Sequence, residues 1–262
     1  MSGGGAYGRD LAHVHDAGFG DFARAAAPEL LRRLRAAGRD GGLVVDLGCG
    51  SGIWARALLD AGYEVLGVDV SADLLAIARK RAPGATFVHG SLFEAELPAG
   101  CAAVTALGEC VNYAFDPRAG RAGLAALLRR VHAALRPGGL LLFDAAGPGL
   151  EPRPRRTWSA GDGWVVCVAA VEDAAARGLT RHIAVFRREG DGADARWRRS
   201  DERHTLRLYE PEEVLADLRA AGFAGAEALR AWGALALRSG HHAFAARRAS
   251  PAERRLRVDR GS

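Results

Sequence analysis

Val44-Val45-Asp46-Leu47-Gly48-Cys49-Gly50-Ser51-Gly52 is an apolar run that ends in an acid and then breaks into alternating glycines. Glycine between a strand and a helix lets the backbone approach a ligand closely, and the helix behind it offers unpaired N–H groups. The spacing predicts a strand ending at Asp46, a turn over Gly48, Gly50 and Gly52, and a helix through Trp54, Leu58 and Leu59. After Gly62 a second strand, 64–69, ends in Asp69, 17 positions beyond Gly52. A carboxylate at that strand tip is placed to accept hydrogen bonds from ribose hydroxyls. The glycine turn alone says little; the acid behind it gives it weight.

The pattern continues on both sides. Upstream, Leu30, Leu31 and Leu34 mark a helix over 23–37 that stops at Gly38. Downstream, Ser71 caps a helix over 72–81, which Pro83-Gly84 ends. Strands at 85–89 and 101–107 follow. Leu124, Leu127, Leu128, Val131 and Leu135 form one face of a helix over 121–135, and Pro137-Gly138-Gly139 turns it into a strand at 140–144. Five such β–α steps predict an α/β fold with a parallel sheet. Beyond a Pro/Gly-rich connector at 147–154, strand-like stretches at 164–171, 179–188 and 195–208 predict an antiparallel meander. Pro211, Glu212 and Glu213 then open a helix that Gly222 closes, and 223–229 and 242–246 are the final strand candidates.

With 262 residues, 49% hydrophobic and 26% charged, the composition is that of a globular protein. It excludes collagen-like, disordered and disulfide-scaffold classes, and no apolar run approaches the roughly 20 residues of a membrane span. The opening Met1-Ser2-Gly3-Gly4-Gly5 lacks the basic and apolar regions of a signal peptide, so a cytoplasmic protein is expected. Of the net charge of +5, +4 lies from Arg247 onward, which reads as a solvated tail rather than a nucleic-acid groove. Cys49, Cys101, Cys110 and Cys167 form no C-x-x-C pair, and no metal site is expected.

Two ligands suit the turn, a nicotinamide dinucleotide and S-adenosylmethionine. The dinucleotide fingerprint G-x-G-x-x-G/A, framed on Gly48, puts Ile53 where a small residue belongs. The chain instead resembles the class I S-adenosylmethionine-dependent methyltransferases of small-molecule type, over roughly residues 7–147. Asp46 to Gly52 is similar to the family's first motif, Asp69 to its ribose acid and Val70 to its apolar adenine contact. His89-Gly90-Ser91-Leu92 falls at the adenine contact, where Ser91 replaces the common Asp, so Ser91 or backbone reads the adenine amino group. Thr105-Ala106-Leu107-Gly108 resembles the end of the fourth strand, and Leu135-Arg136-Pro137-Gly138-Gly139 the turn before the fifth.

The resemblance implies a Rossmann-like seven-stranded methyltransferase sheet with helices on both faces, one strand antiparallel, and an inserted antiparallel β-meander. It divides the chain into a cover segment and helix (1–38), a cofactor-binding α/β core (39–147), a substrate cap (148–210), a C-terminal helix with strands (211–248) and a disordered basic tail (249–262). It implies cofactor contacts from Asp46, Gly48, Gly50, Asp69, Val70, Ser91, Leu92 and Leu107.

The expected reaction is methyl transfer to oxygen or nitrogen of a small molecule, a step of bacterial secondary metabolism, by a monomer or homodimer. Leu107-Gly108-Glu109-Cys110 stands where amine-methylating enzymes of nucleic-acid bases carry Asn/Asp-Pro-Pro-Tyr/Phe, and Cys110 lacks a cytosine-C5 setting. Position after the fourth strand makes Tyr113 a catalytic candidate, with Glu109 and Asn112 as substrate contacts. His15 of the cover segment is a further substrate contact, and His204 a general-base candidate on the last meander strand. Alternatives are an RNA or protein methyltransferase docking through the basic tail, a non-catalytic S-adenosylmethionine-binding regulatory module, and, more distantly, a hydride-transfer enzyme.

Overall fold

The computed structural model describes residues 7–38, 40–190 and 194–250. Chain order begins with α1 (Arg9–Gly18) and α2 (Asp21–Ala36), then β1 (Leu43–Leu47), α3 (Ile53–Asp60), β2 (Glu64–Asp69), α4 (Ala72–Arg81), β3 (Thr86–His89) and β4 (Cys101–Ala106). A short 3-10 turn, Cys110–Asn112, leads to α5 (Arg121–Ala134) and β5 (Leu135–Ala146). Next come β6 (Arg155–Gly161), β7 (Trp164–Asp173), β8 (Gly178–Glu189) and β9 (Arg196–Arg207). The chain closes with α6 (Pro211–Ala220), β10 (Phe223–Leu229), β11 (Ala231–Trp232), β12 (Leu235–Ala236) and β13 (His241–Arg248).

Seven strands form the main sheet in the order β10-β13-β5-β4-β1-β2-β3. β13 runs antiparallel between β5 and β10, as the resemblance implies, while β5, β4, β1, β2 and β3 are mutually parallel. Both faces are covered, because alternate residues of the buried strands point to opposite sides. Val45 and Leu47 pack with Leu124, Leu128, Val214 and Leu218 of α5 and α6. Val44, on the other face, packs with Leu30 and Leu34 of α2 and Trp54 and Leu58 of α3. The strand order reverses beside β1, which puts the C-terminal ends of β1 and β4 at the crevice where such sheets bind ligands.

The meander is a separate four-stranded sheet in the order β6-β7-β8-β9. Reading three strands from the sequence missed β6. Its Arg155-Arg156-Thr157-Trp158 is charged and lies on an edge, with Trp158 73% exposed, so burial leaves no apolar alternation. The β11–β12 ribbon was also unexpected, and it buries Trp232 completely. The cap joins the rest through Tyr113, Ala146, Leu150, Leu179 and Leu206, and through Leu11 and Val14 of α1 against Val166 and Val185. The expected basic tail, 249–262, lies outside the described residues apart from Ala249, which is buried, and Ser250.

Candidate functional site

A cavity of about 850 Å³ runs from the glycine turn to the inner face of the meander. At one end, Gly48, Gly50 and Gly52 have φ of +72°, +54° and +76°. A side chain at Gly48 would also strike Cys110, so glycine is required there twice over. Gly48 and Cys49 N–H donate to the Val68 carbonyl, Gly50 N–H to Asp69 Oδ2 (2.8 Å) and Gly52 N–H to the Cys49 carbonyl. Those donors are spent on β2 and on the turn itself, so they are not available to a pyrophosphate.

Asp69 Oδ1 accepts from Ser71 N–H (2.8 Å). Burial pushes its pKa up against these hydrogen bonds. Asp46 is buried and accepts from Thr105 Oγ1 (2.8 Å), which in turn accepts from Trp54 Nε1 (3.1 Å). Its pKa is raised to about 7, by burial first and by the charge of Asp69. Val70, 37% exposed at the β2 tip, and Leu92 give the cavity apolar surface beyond Asp69. Two acids, a glycine turn and an apolar shelf fit a ligand with a ribose, an adjoining flat base and a cationic end.

The other end is polar and built from distant segments. Asp144, at the tip of β5, is fully buried and accepts from Gly108 N–H (2.9 Å) and Glu109 N–H (2.7 Å). His241, at the start of β13, donates from Nε2 to Asp144 Oδ1 (2.8 Å) and stacks on Phe22. That bond leaves Nδ1 as the basic nitrogen. Burial lowers the His241 pKa, but the hydrogen bond and the charges of Asp144 and Glu109 outweigh it and raise the value.

Glu109 has φ +62° and pairs with Arg181 of β8 (2.8 Å). Burial opposes its ionisation, yet Arg181, His241 and Arg238 hold its pKa below the usual range. The meander contributes Val166, Val168 and Ala170 from β7 and Arg181 and Ile183 from β8, each pair two residues apart and so on one face.

Tyr7 ties the cover segment to this end. Its phenol hydroxyl lies 2.6 Å from that of Tyr113. Tyr7 and Gly8 N–H donate to the two oxygens of Glu202 on β9, and Ser71 Oγ donates to the Tyr7 carbonyl (2.6 Å). Burial raises both phenols, Tyr113 to about 12, so both stay protonated at neutral pH. Asp16, beside His15, pairs with Arg81 (2.6 Å), which also donates to the Ser51 carbonyl. Thus α1 is fastened directly over the glycine turn.

Of the residues chosen from sequence, Asp46, Gly48, Gly50, Asp69, Val70, Ser91, Leu92, Leu107, Glu109, Tyr113 and His15 all line the cavity. Asn112 and His204 are not among its lining residues. Asn112 is fully buried, donates to the Ala146 and Arg207 carbonyls and accepts from Ala146 N–H, so its amide fastens β5 to β9. His204 bonds Glu202 (2.8 Å) behind the Tyr7 ring and steadies the carboxylate that anchors Tyr7. Tyr7, Asp144 and His241 were missed. A lone Tyr in a glycine-rich start and a His-His pair carry no local signal of a site.

Residues 44–139 match the family model described as a methyltransferase domain, and the match supports the resemblance to the class I S-adenosylmethionine-dependent methyltransferases. Over 131 residues it is 34% identical to the dTDP-3-amino-3,6-dideoxy-alpha-D-glucopyranose N,N-dimethyltransferase of Streptomyces fradiae. That match covers 50% of this chain and 49% of the relative, so the chain spans about half that protein's length. An S-adenosylmethionine-bound amino pentose methyltransferase of Micromonospora echinaspora, involved in calicheamicin biosynthesis, superposes with a TM-score of 0.70 at 25% identity, covering 91% of this chain and 96% of that one. A Clostridium acetobutylicum S-adenosylmethionine-dependent methyltransferase shares the fold, with a TM-score of 0.75, 17% identity and coverage of 92% and 98%.

Proposed function

We propose that this protein methylates an amino nitrogen of a small-molecule acceptor, of the amino-sugar class, in bacterial secondary metabolism. The observation that carries the reading is the continuous cavity of about 850 Å³ joining the cofactor turn to a polar end beneath the meander. That volume is in the range of small-molecule pockets, roughly 300–1,000 Å³. The similarity to enzymes named for amino-sugar methylation favours nitrogen over oxygen.

S-adenosylmethionine supplies an electrophilic methyl group; the chain supplies alignment, a dry site and a proton acceptor. Asp69 takes the ribose hydroxyls, Val70, Ser91 and Leu92 flank the base, and Asp46, Gly48, Gly50 and Leu107 border the methionine end. A nitrogen nucleophile must be neutral to attack. Asp144 fixes the His241 tautomer, and His241 Nδ1 accepts the proton the amine loses. Ionised Glu109 attracts the cationic acceptor, Tyr113 and Tyr7 orient it through their neutral hydroxyls, and His15 borders it from the cover helix. His204 acts behind them by holding Glu202.

The test is incubation with S-adenosylmethionine and a panel of nucleotide-linked amino sugars, hydroxy sugars, bulk RNA and protein extract, followed by mass spectrometry. One or two added methyl groups on an amino sugar are expected. Methyl incorporation into RNA or protein alone would overturn the reading.

A further inference from the structure

Ser91 comes two residues after the end of β3 and so stands beyond the tip of the strand next to the one that ends in Asp69. Its hydroxyl accepts from Phe93 N–H (3.0 Å) and donates its single proton to Asp116 Oδ2. Asp116 comes from the loop after β4, 25 residues away, and lines the same cavity as Ser91, Val70 and Leu92. Its Oδ1 accepts from Arg118 N–H (2.7 Å), and its side chain is only 8% exposed. Burial opposes the charge, but the bonds from Ser91 and Arg118 N–H and the Arg118 cation hold the pKa of Asp116 low, so it is ionised.

An ionised carboxylate only accepts hydrogen bonds, and a serine hydroxyl that has given its proton away has none left to donate. The Ser91 and Asp116 side chains therefore offer acceptors only, beside the apolar surface of Val70 and Leu92, while the neighbouring Arg118 cation is paired with Glu94 and Asp116. Asp69 and Ser91 stand at the tips of adjacent strands, so a base attached to a ribose held by Asp69 would be within reach of this side. We infer that Asp116, oriented by Ser91, reads the 6-amino group of the cofactor's adenine and sets the preference for adenine over hypoxanthine. The inference rests on the reading of the cleft as the S-adenosylmethionine site. Ser91 is then a positioning residue and Asp116 the contact. Hypoxanthine would present a carbonyl oxygen to the carboxylate, an acceptor facing an acceptor.

The test is calorimetric binding of S-adenosylhomocysteine and S-inosylhomocysteine to the full chain. Wild type is expected to favour the adenine compound by about 10- to 150-fold, as for loss of one hydrogen bond to a charged group. Asp116→Asn, whose amide donates as well as accepts, is expected to lose that preference or reverse it. Ser91→Ala is expected to narrow it by about two- to tenfold. The ratio of the two affinities on one variant is insensitive to any loss of folded protein. An unchanged ratio in Asp116→Asn, or equal binding of both compounds by wild type, would overturn the assignment while leaving the cofactor site intact. Failure of wild type to bind S-adenosylhomocysteine would instead remove the cofactor site itself.

Discussion

The two ends of the cavity are built in different ways. The turn and ribose side of the cofactor end come from one run of chain, Asp46 through Asp69, and much of their chemistry is backbone: three left-handed glycines and N–H groups that close the turn on itself and on β2. The acceptor end is made of side chains from β5, β8, β13, the loop after β4 and the cover segment, with His241 and Asp144 97 residues apart. Here one end of the cavity is held by local backbone geometry, while the other is met by side chains converging from separate elements. Substitutions should therefore separate binding of the cofactor from turnover of the acceptor.

The largest effect is expected from His241→Asn. Loss of a general base lowers kcat by about 10²- to 10⁴-fold on the methylated acceptor, while calorimetric affinity for S-adenosylhomocysteine stays within about twofold. A comparable loss of cofactor affinity would break the division between the two ends. Asp69→Ala tests the reverse. Affinity for S-adenosylhomocysteine should fall by about 10- to 150-fold, the cost of losing charge-assisted hydrogen bonds to ribose.

Gly48→Ala should destabilise the fold by about 1–3 kcal/mol from the left-handed backbone alone, with the contact to Cys110 adding to it. Urea unfolding measures this, and an unchanged midpoint would show that the turn can relax. Tyr113→Phe removes the hydroxyl shared with Tyr7. It should raise the acceptor KM by only about two- to tenfold and leave the pH profile unmoved, because a phenol titrating near 12 is not the base.

The pH dependence sharpens the contrast. His241 has a raised pKa, so it is protonated and unable to accept a proton at low pH. Turnover should rise with pH through a value above the ordinary 6.5, and His241→Asn should lose that limb. Stability runs the other way. The raised folded-state value means that the His241–Asp144 contribution is present in full below about 6.5 and is lost as pH climbs through the folded-state pKa. Thermal melts from pH 5 to 9 on wild type and His241→Asn measure the difference.

The cofactor end was legible because its signals are local. Asp46, the three glycines and Asp69 fall at strand–turn–helix spacing, and steric limits on positive φ make glycine the natural residue there. His204, Leu206 and Leu208, alternate residues at the end of the last meander strand, are all buried, as the two-residue repeat of a strand requires. β6 was not legible, because an edge strand with an open face has no need of apolar alternation. Asn112 was chosen by position, and packing assigned its amide to backbone instead. Glu109, three residues earlier, lines the cavity and pairs there with Arg181 from the cap, a partner 72 residues away that sequence spacing does not indicate.

The sequence by itself determined the α/β class, the order of the elements, the glycine turn and the acid behind it, all consequences of steric and hydrophobic periodicity within short windows of chain. Only the tertiary structure decided that His241 meets Asp144, that Tyr7 meets Tyr113, and that Asp116 stands beside Ser91. Those pairings depend on how strands and loops far apart in the chain are brought together. A side chain's hydrogen-bond partner is set by distance in space, which short-range sequence spacing does not encode.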